Sequence, residues 1–273
     1  YYINPASLQA ANARENHVPE EEGTQFFNHK NDFEMYQTIE LRGNYAYKKH
    51  WNFQLIIPYV HSQLYYKQVW QSPYPVKDSS FNINGFGDAI VAADYTHTFE
   101  TGWIKHIVKP GLGLKIPTGK YNAGANSKTY GYDIQPGTSS VDIIARLNYL
   151  ITNDKWGADV FLNYRYCTKG ENNVQFGNKW NAMANFYYTL KINEISFLPK
   201  IGNYYEFSER DKLNGNIREF TGGYTWFYQA GIDIMYKQFI VQTLFQKPYA
   251  EKLNGQVIGN AGRLMLGVVY NFE

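Results

Sequence analysis

Apolar and polar side chains alternate along the chain from about residue 36 onward, in runs of roughly ten residues. The run nearest the C-terminus shows the alternation most clearly, because one side of it is entirely apolar: Leu264, Leu266, Val268, Tyr270 and Phe272. The residues between them are mixed and include Arg263 and Asn271. A period of two is typical of a β-strand with one apolar face and one polar face.

About eleven such runs follow one another, and each is long enough to cross a bilayer as a tilted strand of about 9–11 residues. Short turns near residues 49, 102, 154, 193 and 237 alternate with long polar connections near 67–86, 117–138, 168–178, 208–222 and 248–260. Outer-membrane barrels alternate short periplasmic turns with long extracellular loops, whereas the Greek-key connections of a soluble sandwich do not. The pattern therefore predicts an all-β fold, a transmembrane antiparallel up-and-down β-barrel in the cell outer membrane.

The number of strands follows from a parity rule. Single-chain bacterial barrels contain an even number of strands. We therefore expect about 12 strands, with ten and fourteen as the alternatives, and we place the missing strand within residues 1–35 together with a loop. Residues 1–273 are expected to form one barrel domain.

Composition narrows the class further. The chain has 25 Tyr, 17 Phe and 6 Trp, yet its mean hydropathy is negative and only 18% of its residues are charged. Aromatic residues diluted by polar ones are expected of strands with one apolar and one wet face. No apolar run approaches the roughly 18 residues that a membrane helix requires, which excludes a helical membrane protein.

Charge and cysteine content exclude other classes of site. The net charge of +2 gives no reason to expect a nucleic-acid partner, and the single cysteine, Cys167, excludes an intrachain disulfide and a cysteine-based zinc site. The six histidines are scattered and no Gly-x-Ser-x-Gly motif is present, so we predict no enzymatic activity and no cofactor.

Aromatic residues are concentrated at the ends of the short turns. They suggest an aromatic girdle at the headgroup level of the membrane, although cross-strand packing of aromatic rings is an alternative explanation. The six residues are Tyr47, Trp51, Trp103, Trp156, Tyr236 and Phe272.

The polar faces of the predicted strands would line the lumen. They carry as many acidic as basic side chains, seven of each: Glu40, Arg42, Asp88, Asp94, Lys109, Lys115, Asp142, Arg146, Asp159, Arg165, Lys200, Glu206, Asp233 and Arg263. Charges in a narrow, poorly solvated space need partners. The balance therefore favours salt bridges that brace the wall over selective lining of a solute path. Since about 8 strands give a filled interior and about 16 an aqueous channel, we expect a narrow or partly plugged lumen.

Four short motifs resemble those of a known family. They are Ile57-Pro58-Tyr59, Gly85-Phe86-Gly87-Asp88, the segment 115–120 (Lys-Ile-Pro-Thr-Gly-Lys) and the segment 135–142 (Gln-Pro-Gly-Thr-Ser-Ser-Val-Asp). Over roughly residues 50–273 the chain resembles the outer-membrane transporter family named for the meta-pathway of phenol degradation, in a form similar to those of Bacteroidetes. The family has Gly-Leu-Gly-Asp, Leu-Pro-Thr-Gly and Gly-Thr-Gly-Ser-x-Asp motifs, from which this chain departs at Phe86, Ile116 and Ser139.

The resemblance implies an outer-membrane transporter or channel for small molecules, including hydrophobic ones, and supplies no catalytic residue. The expected surroundings are the lipid bilayer and lipopolysaccharide. Two alternatives stay open: a non-conducting accessory barrel within an outer-membrane protein complex and, less favoured, a barrel enzyme.

The assignment of strand faces predicts the effect of substitutions. Introducing a charge at the lipid-facing Leu147 is expected to cost about 2–4 kcal/mol, and Asp142→Asn much less.

Overall fold

The computed structural model describes residues 11–14, 33–67, 78–122, 124–125, 128–129, 132–254 and 260–272. Its main sheet contains 15 strand segments. Three of these segments form one interrupted barrel strand and two form another, which leaves twelve. The twelve are β1 Ala11–Arg14, β2 Phe33–Tyr47, β3 Trp51–Lys67, β4 Asp78–Phe86 with Ala89–Tyr95 and His97–Thr101, β5 Ile104–Ile116, β6 Asp142–Thr152, β7 Trp156–Cys167, β8 Lys179–Tyr188 with Leu190–Ile192, β9 Ile195–Ser208, β10 Gly223–Tyr236, β11 Phe239–Leu253 and β12 Asn260–Tyr270.

The twelve strands form a closed antiparallel ring. Each strand pairs with its sequence neighbours, and β1 closes the ring by pairing with both β2 and β12. The missing strand expected within residues 1–35 is therefore β1, and the prediction of a twelve-stranded antiparallel barrel is confirmed. Among the described residues, no helix is long and apolar enough to span a membrane. Assignment of residues 1–273 to a single domain stays a prediction.

The strands present their apolar side outward. On β12, Leu264, Leu266 and Val268 are 54%, 59% and 71% exposed, as expected for side chains that face lipid rather than a soluble core. Leu147 and Val160, near the middle of β6 and β7, are also exposed. A soluble protein would bury such residues, so this surface requires an apolar solvent.

The short turns lie where the alternation predicts them. Lys48, Gly102, Asn193 and Lys237 have φ between 50° and 61°, the left-handed conformation that matches a tight hairpin to the twist of its strands. The fifth turn follows Asn153. The side-chain oxygen of Asn153 accepts hydrogen bonds from the backbone N–H groups of Lys155 and Trp156, at 2.7 and 2.8 Å. Local chemistry therefore specifies all five turns.

Aromatic rings cluster around these turns on the outside of the barrel. Trp103 stacks edge-on against Trp156, with ring centroids 6.2 Å apart, and Trp51 meets Tyr95 at 5.3 Å. Trp103 and Phe272 are 71% and 88% exposed. The rings pack across strands and are exposed at one end of the barrel, so cross-strand packing and a headgroup-level girdle are compatible.

The long connection before β12 is shorter than the sequence predicts. The alternation predicts it near 248–260, but β11 continues to Leu253 and pairs with β10 along its whole length. A register shift opposite Trp226 and Phe227 accommodates Pro248, which has no backbone N–H to donate. The proline therefore falls at an irregularity of the ladder instead of ending the strand.

Candidate functional site

The family-like motifs converge on one buried carboxylate at the wall of the barrel. Asp88 interrupts β4, and its Oδ1 accepts a hydrogen bond from Gly119 N at 3.0 Å. Its Oδ2 accepts from Thr138 N at 2.9 Å and from the Thr138 hydroxyl at 2.6 Å. Three motifs that are far apart in sequence are thereby tied to a single side chain.

Lys115 links that carboxylate to a second one. Its Nζ lies 3.2 Å from Asp88 and 2.7 Å from Asp142, and it also donates to the hydroxyls of Thr138 and Ser140. All three charged side chains are at most 5% exposed. A lysine shared by two carboxylates and two hydroxyls satisfies the hydrogen-bonding needs of a buried charge.

Close backbone contact explains the glycines of these motifs. A Cβ on Gly119 would lie 2.7 Å from the Cα of Gly137, so neither position has room for a side chain. Ser139 has φ of 55°, a conformation that favours glycine, and the resembling family has a glycine there. The Ser139 hydroxyl accepts a hydrogen bond from Glu171 N at 2.9 Å, which links this segment to the next loop.

A second ion pair crosses the inner face of β5. Arg146 on β6 donates two hydrogen bonds to Asp94 on β4, at 2.6 and 2.7 Å, and a third to Gln54 at 2.7 Å. The intervening strand contributes Gly111 at the crossing, and a Cβ there would overlap Asp94 Oδ1. Absence of a side chain on β5 is therefore what lets the pair form.

A third ion pair connects strands that are not neighbours. Arg263 on β12 donates to both carboxylate oxygens of Glu206 on β9, at 2.6 and 2.7 Å, although β10 and β11 lie between them. The guanidinium lies 4.1 Å from the ring centroid of Phe227, which is fully buried. This pair spans a segment of the lumen and narrows it.

Other predicted lumen residues each interact with a charged side chain of opposite sign. Lys200 contacts Asp233 at 2.6 Å, and Arg42 donates to Glu40 at 2.9 Å. Lys109 lies on the same inward face as Gly111 and is attracted electrostatically to Asp94.

A chain of amides surrounds the seventh acidic residue. Asp159 has no ion-pair partner among the described residues and instead accepts from Asn185, at 3.2 and 3.3 Å. Gln229 donates to Asn185, and Gln246 donates to Gln229 at 2.8 Å. A series of amide hydrogen bonds therefore links Asp159 on β7 to Gln246 on β11, beside the Lys200–Asp233 ion pair.

Arg165 differs from the other predicted residues. Within the part of the chain that the structure describes, its side chain has no hydrogen bond or ion pair, and its Nε is buried without a partner. Its register partner on β8 is another cation, Lys179. The balanced count of charges therefore does not translate into complete pairing.

Apolar side chains form a layer on the inner wall, at one level of β7 to β10. Met183, Phe161 and Phe227 face inward and are 4%, 7% and 0% exposed. Tyr204 packs against Phe227 with ring centroids 5.9 Å apart. This apolar layer ends at β6, where Asn148 is the register partner of Phe161.

The loops opposite the short turns interlock. Short segments Val174–Gln175, Lys212–Leu213 and Asn216–Ile217 form a three-stranded sheet. Tyr121 donates a hydrogen bond to Glu171, and Gly177 N donates to Asp211 at 2.8 Å. These contacts make a cap of the described loop residues at this end of the barrel.

An aromatic and basic cluster lies within this cap. The guanidinium of Arg218 is 4.6 Å from the ring centroid of Tyr132, whose ring meets Phe176 edge-on at 6.1 Å. Phe176 in turn lies 5.9 Å from Lys179 Nζ. Burial lowers the pKa of Arg218 from its usual value, because desolvation disfavours the charged form. A series of cation–π and ring contacts thus leads from the cap to the inner wall.

Sequence reasoning missed several inward polar residues. The charged lumen set predicted from the sequence omits Lys179, the first residue of β8. It also omits Asn185, Gln229 and Gln246, which are polar but carry no charge. The parity of each strand could have identified all four, since they alternate with outward residues such as Trp180, 49% exposed.

Comparison with known proteins agrees with this geometry. Residues 25–242 match the protein family described as "Putative MetA-pathway of phenol degradation". The chain belongs to this family. The resemblance inferred from the motifs is therefore confirmed, while the likeness to Bacteroidetes forms stays a prediction. No curated protein matches this chain.

A solved structure supports the same fold for this family member. The crystal structure of an outer membrane channel from Pseudomonas putida F1 is similar with a TM-score of 0.63 at 12% identity. The match covers 99% of this chain and 100% of that one. Prediction of an outer-membrane barrel agrees with both findings.

Proposed function

We propose that this protein is an outer-membrane channel for small molecules, surrounded by the lipid bilayer and lipopolysaccharide. The observation that carries the proposal is the number of ionisable side chains held inside a closed membrane barrel. Charges within a membrane are costly and usually mark the path of an ion or solute. A barrel that served only as an anchor could be filled with apolar residues at lower cost.

The lumen contacts favour a narrow channel. The Glu206–Arg263 pair crosses the interior, and the apolar layer of Phe161, Met183 and Phe227 lies nearby. Small solutes with an apolar part suit such a lumen better than large hydrophilic ones. Membership of a family described by phenol degradation supports the same class of solute.

The alternative proposal is a non-conducting accessory barrel within an outer-membrane complex. The observation that favours it is complete burial of mid-lumen side chains such as Phe227, because a permanently filled interior would conduct nothing. Enzymatic activity is not part of either proposal. Within the described residues there is no group of three or more His, Cys, Asp or Glu side chains that could hold a metal ion.

Single-channel conductance in a planar bilayer tests the channel. The detergent-purified protein is first checked for heat-modifiable mobility on a gel, which reports a folded barrel. The wild type is then compared with Glu206→Ser/Arg263→Ser, which removes both members of the pair that spans the lumen. We expect discrete conductance steps from the wild type and larger steps from this variant.

A matched control removes an ion pair that lies outside the lumen. Glu194 and Lys237 are exposed at the short turns, 3.9 Å apart, so Glu194→Ser/Lys237→Ser should leave conductance unchanged. The channel proposal would be overturned if the folded wild type and the folded lumen variant both fail to conduct. Stable copurification of a second protein would then test the accessory role.

A further inference from the structure

Two cations face each other inside the barrel without an acidic partner. Arg165 on β7 and Lys179 on β8 are register partners, so their side chains leave neighbouring positions of the same inward face. Residues directly opposite each other on antiparallel strands have Cβ atoms about 4.5–5.5 Å apart, where like charges are destabilising. The folded barrel keeps this like-charge pair, although an acidic residue at either position would neutralise it.

Nearby carboxylates are already engaged. Glu40 lies within electrostatic reach of Arg165 but accepts hydrogen bonds from Arg42. Asp211 acts electrostatically on Lys179 but accepts from Gly177 N. Within the described residues, neither cation therefore forms a direct ion pair, and the buried Arg165 Nε keeps a donor without an acceptor. A buried donor of this kind has a substantial desolvation cost.

The surroundings of the two cations are aromatic and apolar. Phe176 in the cap lies 5.9 Å from Lys179 Nζ. On the side of the short turns, Met183 follows Lys179 by two inward positions and pairs in register with Phe161 and Tyr204. Positive charge is therefore bounded on one side by the aromatic cluster of the cap and on the other by the apolar layer of the lumen.

We propose that Arg165 and Lys179 form a binding site for the carboxylate of a small aromatic acid. The planar guanidinium and the ammonium would together supply the hydrogen-bond donors that a carboxylate accepts. Phe176 and the Met183 layer would contact the apolar body of the solute. This proposal rests on the proposed channel function and deepens it, because it names a substrate class and the residues that select it.

Isothermal titration of the detergent-solubilised full chain tests the site without requiring transport. Benzoate is the probe, benzamide its neutral analogue of nearly the same shape, and acetate a carboxylate without the ring. We expect benzoate to bind at least about tenfold more tightly than either analogue. Benzamide lacks the negative charge that the two cations attract, and acetate lacks the ring that contacts the aromatic and apolar side chains. Equal affinity for benzamide or for acetate would overturn the proposed specificity.

Substitutions locate the site. Arg165→Gln and Lys179→Gln should each weaken benzoate binding at least about tenfold, and Lys179→Arg should retain it. Lys191→Gln, which removes an exposed cation at a short turn, is the control and should bind as the wild type does. Binding that survives in the Arg165→Gln/Lys179→Gln double variant would refute the assignment.

Stability separates ligand binding from a structural role. Because neither cation has a direct acidic partner among the described residues, the double variant should fold with an unfolding midpoint equal to or above that of the wild type. A clear loss of stability would instead indicate that the two residues brace the wall. Conductance without benzoate binding would reject this site alone, whereas benzoate binding without conductance would reject the channel and keep the site.

Discussion

Gly111 offers a direct test of the inner ion-pair network. Arg146 and Asp94 meet across β5 at a position where Gly111 provides no side chain. In Gly111→Ala the new Cβ would overlap Asp94 Oδ1 and approach its carboxyl carbon to 3.0 Å. The carboxylate would have to move, and it could not keep both of its hydrogen bonds to Arg146, at 2.6 and 2.7 Å.

Burial of the pair sets the size of the effect. The side chains of Arg146 and Asp94 are 8% and 14% exposed. Disrupting a buried pair by loss of one partner costs about 3–5 kcal/mol. Because Arg146 keeps its hydrogen bond to Gln54, we expect Gly111→Ala to destabilise the barrel by about 2–4 kcal/mol.

Reversible unfolding in urea from phospholipid vesicles, followed by tryptophan fluorescence, measures this difference. Gly43 on β2 is the matched control, because a Cβ there has no neighbour within 4 Å. Gly43→Ala should be neutral or stabilise by about 0.4–1 kcal/mol through the unfolded chain. In an Asp94→Ala background the overlap with the carboxylate is gone, so Gly111→Ala should lose most of its effect. Equal stability of the Gly111 and Gly43 variants would refute the reasoning.

Three further substitutions test the faces of the strands and an inner ion pair by the same assay. Leu147→Arg places a charge in lipid near the middle of β6 and should cost about 2–4 kcal/mol, whereas Ile192→Arg, beside a short turn, should cost about 0–1 kcal/mol. Similar costs would contradict the assumed depth. Asp142→Asn removes the negative charge that Lys115 contacts at 2.7 Å and should cost about 2 kcal/mol, with Lys115 retaining Asp88. This exceeds the small effect expected from the sequence, and a cost below about 0.5 kcal/mol would restore that expectation.

The inward charges have two roles that these experiments distinguish. The bracing interpretation predicts that removal of each charged residue destabilises the barrel. Contacts of Lys115, Arg146 and Arg263 with carboxylates support that interpretation for three of the basic residues. Arg165 and Lys179 carry the opposite expectation, since their removal should weaken ligand binding and leave the fold intact.

Strand faces, turns and strand number were accessible from the sequence because they depend on local chemistry. A period of two puts Leu264 and Leu266 on one face whatever the neighbouring strand is. Gly102 and Asn193 adopt the positive φ that their tight turns require. The parity rule then required one more strand, which the structure supplies as Ala11–Arg14.

Partners inside the lumen depended on tertiary structure. Asp94 and Arg146 are 52 residues apart, and Glu206 and Arg263 are 57 apart, with no feature of either segment indicating the other. Which inward residues share a level depends on the register of every strand pair around the closed ring. The Asp94–Arg146 pair also needs the small residue Gly111 on the strand between its members. Seven acidic and seven basic residues could be counted from the sequence, but only the closed ring decided that Arg165 would face Lys179.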